Sequence, residues 1–126
     1  MKVYDASAVV ALIKSESGAD VVAQAMLADE AWISSVNWCE VVTSLVEGGA
    51  DEPAVLEALA QLDLHIEPLD ARVALAAARL RPATRQLGLS LGDRCCLALA
   101  QERGVQAVTA DRPWKKLKGF DLLMIR

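Results

Sequence analysis

The 126-residue sequence lacks several features on which common functional sites depend. Its only histidine, His65, falls in the middle of a predicted strand, so we expect no serine–histidine catalytic pair. The seven glycines form neither G-x-G-x-x-G nor G-x-x-x-x-G-K-[ST], which excludes the common glycine-rich phosphate loops. The three cysteines, Cys39, Cys95 and Cys96, are an odd number without metal-ligand spacing. We therefore expect reduced, buried, intracellular thiols.

Long apolar runs are also missing. The longest, such as Ala8–Ile13 and Cys95–Ala100, are far shorter than the roughly 20 residues of a membrane-spanning helix, so no membrane association is expected. Asp5 lies where the apolar region of a signal peptide would begin, which predicts a cytoplasmic protein. With 54% hydrophobic and 24% charged residues, the chain can bury the core of one domain over residues 1–126.

Basic residues are scarce in the first part of the chain. Residues 1–71 carry two basic and thirteen acidic side chains, whereas residues 72–126 carry eleven basic and four acidic ones. The overall charge of −4 argues against a general polyanion binder. The two blocks indicate either a metal site in one half and an anion-binding surface in the other, or, as we prefer, charges that interleave in the fold. The basic residues available for phosphates are Arg79, Arg81, Arg85, Arg94, Arg112, Lys115, Lys116 and Lys118.

Short apolar strands alternate with helical stretches along the chain. The absence of hairpin signals between them predicts a parallel sheet with helices on both faces, which is an α/β fold. Ser7, Asp70 and Ser90 are the predicted N-caps of three helices. The strands are predicted over Lys2–Asp5, Ala31–Ser34, Leu64–Leu69, Val105–Thr109 and Leu122–Ile125. The helices are predicted over Ala8–Lys14, Ala19–Ala28, Ser35 or Val36 to Gly48–Gly49, Pro53–Leu62, Asp70 to about Leu80, Leu91–Arg103 and Pro113–Leu117, with a turn or irregular helix over Ala83–Leu89.

Four carboxylates follow or flank the predicted strand ends, where open parallel sheets place their sites. Oxygen ligands of this kind suit hard cations such as Mg²⁺ or Mn²⁺, and crowded carboxylates need a cation or a proton to compensate them. A metal pair could activate water and cut a phosphodiester. The four candidate catalytic and metal-binding residues are Asp5, Glu40, Asp93 and Asp111.

Each of the four acids also has a purely structural interpretation. Asp5 could accept backbone hydrogen bonds in a turn, and Glu40 could belong to a solvated polar stripe with Asn37. Asp93 could complete a capping box, and Asp111 could cap the short helix that follows it. Taken singly, these interpretations are as good as catalysis, but the shared position of the four residues favours a site.

Four segments together resemble the motifs of the PIN domain family, in order and spacing, over essentially the whole chain. They are Val3–Ala8 (VYDASA), Ile33–Val41 (ISSVNWCEV), Leu89–Arg94 (LSLGDR) and Val108–Trp114 (VTADRPW). Among PIN proteins, a small free-standing domain of this kind is most similar to the VapC toxins of bacterial type II toxin–antitoxin pairs.

The resemblance implies a three-layer α/β/α, Rossmann-like fold with a five-stranded parallel sheet in the order 3-2-1-4-5. It also implies an endoribonuclease dependent on Mg²⁺ or Mn²⁺ that acts on structured RNA, with transfer RNA as one candidate. Asp5, Glu40 and Asp93 would be the principal acids and Asp111 the fourth, supported by Ser7 and Thr109. A cognate VapB-like antitoxin and a homodimer are expected from the same resemblance. For the RNA, we predict contacts from the basic side chains Arg85, Arg94, Arg112 and Lys115.

Two other functions are kept open. A receiver-type phospho-acceptor domain has similar length and alternation, but it would need an acidic pair after the first strand and an acceptor aspartate after the third. Here Asp5 stands alone, and Asp70 is better used as a helix cap. A catalytically silent PIN-fold binding module is the second alternative, against which the acids at all four positions argue.

Overall fold

Five short strands form one parallel sheet in the computed structural model, which describes every residue from Met1 to Arg126. The strand order is β3-β2-β1-β4-β5, so the predicted order 3-2-1-4-5 is confirmed. In the register of the sheet, Val3 at the centre pairs with Trp32 on one side and with Ala107 on the other. The strands are β1 (Lys2–Tyr4), β2 (Ala31–Ser34), β3 (His65–Glu67), β4 (Gln106–Thr109) and β5 (Leu122–Met124).

Helices cover both faces of the sheet. Neighbouring residues of a strand face opposite sides, so Tyr4 packs into one apolar cluster and Val3 into the other. The first cluster takes its helical residues from α1 to α4, and the second takes them from α5 and α7, which gives the predicted three layers. The helices are α1 (Ala6–Ile13), α2 (Ala19–Ala28), α3 (Ser35–Glu47), α4 (Glu52–Gln61), α5 (Ala71–Arg79), α6 (Arg81–Thr84) and α7 (Leu91–Arg103). Two 3-10 helices lie at Arg85–Leu87 and Arg112–Lys116.

Two of the three predicted N-caps are confirmed. The Asp70 carboxylate accepts the Val73 amide at 2.9 Å, and the Ser90 hydroxyl accepts the Asp93 amide at 3.2 Å. The prediction that Ser7 caps the first helix is wrong. Asp5 is the cap, because its carboxylate accepts the Ala8 amide at 2.9 Å, and the helix therefore begins earlier, at Ala6.

Other element boundaries differ from the predictions by a few residues. The third strand is only three residues long, and α4 begins at Glu52 because Asp51 accepts the Ala54 amide. Pro82 lies in the first turn of α6, a position that needs no backbone donor. The turn or irregular helix predicted over Ala83–Leu89 is confirmed, since α6 ends at Thr84 and a 3-10 helix follows over Arg85–Leu87. Cys95 and Cys96 are buried free thiols as predicted, but Cys39 is exposed on α3. Every helix is too short or too polar to cross a lipid bilayer.

Candidate active site

The four predicted acids line one cavity of about 260 Å³ at the carboxyl edge of the sheet. Asp5 directly follows β1, and Asp111 follows β4, which is the neighbour of β1 in the sheet. Glu40 comes from the middle of α3, and Asp93 comes from the first turn of α7. The fold therefore brings together carboxylates that are up to 106 positions apart in the chain. The other lining residues are Ala6, Ser7 and Ala110.

Asp5 lies deepest in this site, with only 2% of its surface exposed. Its carboxylate accepts the Ala8 amide at 2.9 Å, the Ser7 hydroxyl at 2.7 Å and the Thr109 hydroxyl at 2.5 Å. A carboxylate offers about four acceptor positions. These three bonds therefore hold Asp5 in place and leave it capacity for a ligand in the cavity.

Ser7 and Thr109 are themselves fixed by the backbone that follows β4. The Ser7 oxygen accepts the Ala110 amide at 2.9 Å, and the Thr109 oxygen accepts the Asp111 amide at 3.0 Å. Each hydroxyl has one proton, and the bonds to the amides leave that proton free to point at Asp5. The predicted supporting residues thus connect Asp5 to the loop that carries Asp111.

Burial determines the protonation of Asp5. It raises the pKa of this carboxyl from 3.8 to about 6, although the hydrogen bonds from Thr109, Ser7 and Ala8 all act to lower it. The negative charge of Asp93 raises the pKa further. Asp5 therefore titrates close to neutral pH.

Glu40 and Asp93 show the same effects more weakly. Burial, and then the charges of Asp93 and Asp5, raise the pKa of Glu40. Burial also raises the pKa of Asp93, with a further contribution from the charge of Asp111 and an opposing one from hydrogen bonds to Ser90. The four acids thus form one electrostatically coupled group.

The structural interpretations of these acids have different outcomes. Asp93 does complete a capping box, because it accepts the Ser90 amide at 2.8 Å while it also lines the cavity. Asp111 precedes a 3-10 helix but makes no capping hydrogen bond, so its side chain remains available to the cavity. The polar stripe of α3 is not simply solvated, since Asn37 is buried and Glu40 is half-buried.

Asn37 and Gly92 contribute to the site in a way that the sequence analysis did not anticipate. The Asn37 side-chain amide donates to the Gly92 carbonyl at 3.0 Å, and the Glu40 carboxylate packs against Gly92. The available signal was a glycine in the first turn of a helix, directly before a candidate acid. Without the fold, nothing in the sequence connects that glycine with α3.

The donor set fits a hard divalent cation. Four carboxylates line the cavity, three of them with raised pKa values, and no basic side chain lines it. As they are placed in this structure, no three acidic, histidine or cysteine side chains are grouped closely enough to hold a metal ion. The fit to a cation therefore rests on the chemistry of the four carboxylate donors that line the cavity.

Three of the four basic residues predicted to contact RNA are exposed and lie on the two 3-10 helices. Arg85 belongs to the first of them, and Arg112 and Lys115 belong to the second, which contacts the first and begins directly after Asp111. None of the three forms an ion pair within the protein. Arg94 differs, because it donates to the Ala77 carbonyl at 3.1 Å and thereby joins α7 to α5.

Comparisons with known proteins concern the family and the fold of the chain. Residues 2–119 match the family model described as the PIN domain. No curated protein matches the sequence significantly.

The solved structures similar to this one include toxin–antitoxin proteins. A toxin–antitoxin complex from Klebsiella pneumoniae has a TM-score of 0.76 at 20% identity, over 100% of this chain and 98% of that chain. VapC20 of Mycobacterium tuberculosis, described as a Sarcin-Ricin loop cleaving toxin, has a TM-score of 0.77 at 18% identity, over 95% of this chain and 96% of that chain. VapBC-5 of the same organism has a TM-score of 0.67 at 25% identity, over 99% of this chain and 97% of that chain. These similarities extend along nearly the full length of both compared chains.

Proposed function

Because this chain belongs to the PIN domain family, we propose that it is a VapC-like toxin, a metal-dependent endoribonuclease that cuts structured RNA. The observation that carries the proposal is the convergence of Asp5, Glu40, Asp93 and Asp111 on one cavity. The similarity to VapC20, described as a toxin that cleaves the Sarcin-Ricin loop, supports RNA as the substrate class. Transfer RNA is one candidate.

Asp5, Glu40 and Asp93 would hold Mg²⁺ or Mn²⁺, with Asp111 as the fourth ligand. Such an ion, when bound, supplies an acidified water as nucleophile and neutralises charge on the phosphate. Ser7 and Thr109 orient Asp5 through the hydrogen bonds described above. Above about pH 6 Asp5 is ionised, and the repulsion among the four carboxylates then favours binding of a cation.

The RNA backbone would lie across the basic surface beside the cavity. Arg85, Arg112 and Lys115 are exposed, unpaired with acids, and connected to the site through Asp111. Contacts of this kind bind phosphates without reading sequence, so cleavage should weaken as salt rises. Arg94 would contribute less, because part of its guanidinium is already used inside the fold.

A VapB-like antitoxin is the proposed partner, and a cytoplasmic homodimer is the proposed form of the toxin. Residues 1–126 would act as a single domain in it. Support for the partner comes from the similar structures, several of which are complexes of a toxin with an antitoxin.

The function can be tested with purified protein and a mixture of structured RNAs. We expect discrete cleavage products with Mn²⁺ or Mg²⁺, none with a chelator, and none with Asp5→Asn. Expression of the wild type alone should arrest bacterial growth, and expression of Asp5→Asn should not. RNA binding without cleavage under all metal conditions would contradict the proposal and favour the catalytically silent binding module. The receiver alternative is excluded by the family and by Asp70, whose carboxylate caps α5.

A further inference from the structure

The contact between α3 and α7 at the site is unusually close. A Cβ atom placed on Gly92 would lie 1.5 Å from Glu40 Oε1 and 2.5 Å from Glu40 Cδ. The Glu40 carboxylate therefore occupies the space that any side chain at position 92 would need. This space lies directly beside Asp93.

Backbone conformation does not explain the glycine. Gly92 is absent from the five glycines with positive φ, and it lies in the first turn of α7, where alanine is the better helix former. Its advantage at this position is the absence of a side chain.

Asn37 fixes the same contact from the other helix. It lies one turn before Glu40 on α3, is 1% exposed, and donates to the Gly92 carbonyl at 3.0 Å. A carbonyl oxygen only accepts, so the orientation of the Asn37 amide is determined. Its own oxygen is buried without a partner, which is unfavourable and indicates that the residue is kept for its donor group.

We propose that Asn37 and Gly92 are positioning residues of the site: Asn37 holds α3 against the first turn of α7, and Gly92 leaves the space in which the Glu40 carboxylate meets Asp93. The catalytic consequence rests on the proposed nuclease function. The steric claim does not.

Gly92→Ala tests the claim, because the atoms in the way are the flexible end of a side chain. The variant should fold, and its melting temperature in chelator should equal or exceed that of the wild type. Because Glu40 is displaced, RNA cleavage should fall at least about tenfold, and the rise in melting temperature caused by Mn²⁺ should be clearly smaller. The matched control is Gly48→Ala, since Gly48 is the other glycine with negative φ and lies outside the cavity. Gly48→Ala should change neither RNA cleavage nor the rise in melting temperature caused by Mn²⁺.

A double-mutant cycle separates displacement of Glu40 from a general structural effect. Glu40→Asp shortens the side chain by one methylene and withdraws the carboxylate from position 92. Gly92→Ala should then cost less than about twofold in the Glu40→Asp background, against about tenfold or more in the wild type. Equal factors in both backgrounds would overturn the proposal.

Asn37→Ser removes the bond to Gly92 without adding bulk. A purely structural role would lower the melting temperature and leave the affinity for Mn²⁺ intact when measured well below that temperature. The positioning role requires the affinity to fall as well. An affinity equal to that of the wild type would remove Asn37 from the proposal.

Failure of the proposed function would give a different result. In that case the wild type itself would neither cleave RNA nor respond to Mn²⁺. A crystal structure of metal-free Gly92→Ala would then decide the steric claim. Displacement of the Glu40 carboxylate supports it, whereas an unmoved carboxylate with a shifted α7 overturns it.

Discussion

An aspartate lies beside each end of the central strand β1, and the two are in opposite electrostatic situations. At the amino end, Asp29 contacts the N-terminal ammonium and lies 3.9 Å from the Lys2 ammonium, and the hydrogen bond from the terminus lowers its pKa. At the carboxyl end, Asp5 has three hydrogen-bond donors but no basic partner, and burial raises its pKa to about 6. The protein compensates the Asp29 carboxylate with its own cations and places no basic side chain against Asp5.

The two charge blocks of the sequence meet at the carboxyl end of β1. The acidic half of the chain supplies Asp5 and Glu40, and the basic half supplies Asp93 and Asp111, so the cavity draws on both. The acidic cavity is therefore not confined to one part of the chain, and at this position residues of the two charge blocks lie together. Of the basic residues on the 3-10 helices, Arg112 directly follows Asp111 in the chain, and the two 3-10 helices contact each other.

The largest expected effect separates the two aspartates by activity. Asp5→Asn should reduce RNA cleavage by about 1,000-fold or more, because it removes the most buried carboxylate of the proposed metal site. Asp29→Asn should leave cleavage unchanged, since Asp29 lies at the other edge of the sheet. Initial rates on one purified RNA substrate would measure both. Comparable losses of cleavage rate in the two variants would contradict the assignment of Asp5, and not Asp29, to the active site.

The pH dependence of stability in chelator should also distinguish them. Because folding raises the pKa of Asp5, its contribution is present below about pH 4 and is lost as pH rises through about 6. The shift corresponds to about 3 kcal/mol in the free energy of unfolding. Folding lowers the pKa of Asp29, so the stability that this carboxylate contributes is present above its ordinary pKa and is lost as pH falls.

Denaturant unfolding at several pH values would measure this difference. The free energy of unfolding of the wild type should fall relative to that of Asp5→Asn between about pH 4 and pH 6. Asparagine does not titrate, but it can still cap α1. Parallel curves for the two proteins would show that Asp5 is compensated inside the protein after all.

Binding of Mn²⁺ should stabilise the protein against unfolding through Asp5 and not through Asp29. At a Mn²⁺ concentration of about 100 times Kd, the wild type should gain about 2.7 kcal/mol. Asp5→Asn should gain much less, and Asp29→Asn should gain as much as the wild type. Thermal unfolding with and without Mn²⁺ would measure these gains. An equal gain in all three proteins would place the cation elsewhere.

The smallest effect is expected for Asp29, whose carboxylate is already paired with cations of the protein itself. Asp29→Asn should lower the melting temperature slightly at low salt, because it removes the partner of the N-terminal ammonium and of Lys2. The loss should diminish in high salt, which screens exposed pairs. A loss that persisted in high salt would indicate a role for Asp29 other than charge pairing.

Much of this molecule could be predicted from the sequence because short-range signals were strong. Asp70 and Ser90 precede helices and cap them, and the alternation of strands with helices predicted the parallel sheet. The cap of α1 was assigned wrongly because Asp5 and Ser7 are both good capping residues. Only the hydrogen bond from the Ala110 amide shows how Ser7 is used instead, and it joins residues 103 positions apart.

The packing of Glu40 against Gly92 was inaccessible for the same reason. Helical periodicity placed Asn37 and Glu40 on one polar stripe, and such a stripe normally faces water. Whether it does so depends on where α7 begins in space. Spacing along the chain carries no information about that distance. Local patterns do predict the parallel sheet and the acids near its strand ends, whereas the strand order was implied by the resemblance to the PIN domain family.

A crystal structure of the wild type soaked with Mn²⁺, with the ion located by its anomalous scattering, tests the central claim most directly. We predict a peak in the cavity with Asp5, Glu40 and Asp93 as ligands. A saturated crystal with no peak there, or with its only peak beside Asp29, would contradict this account.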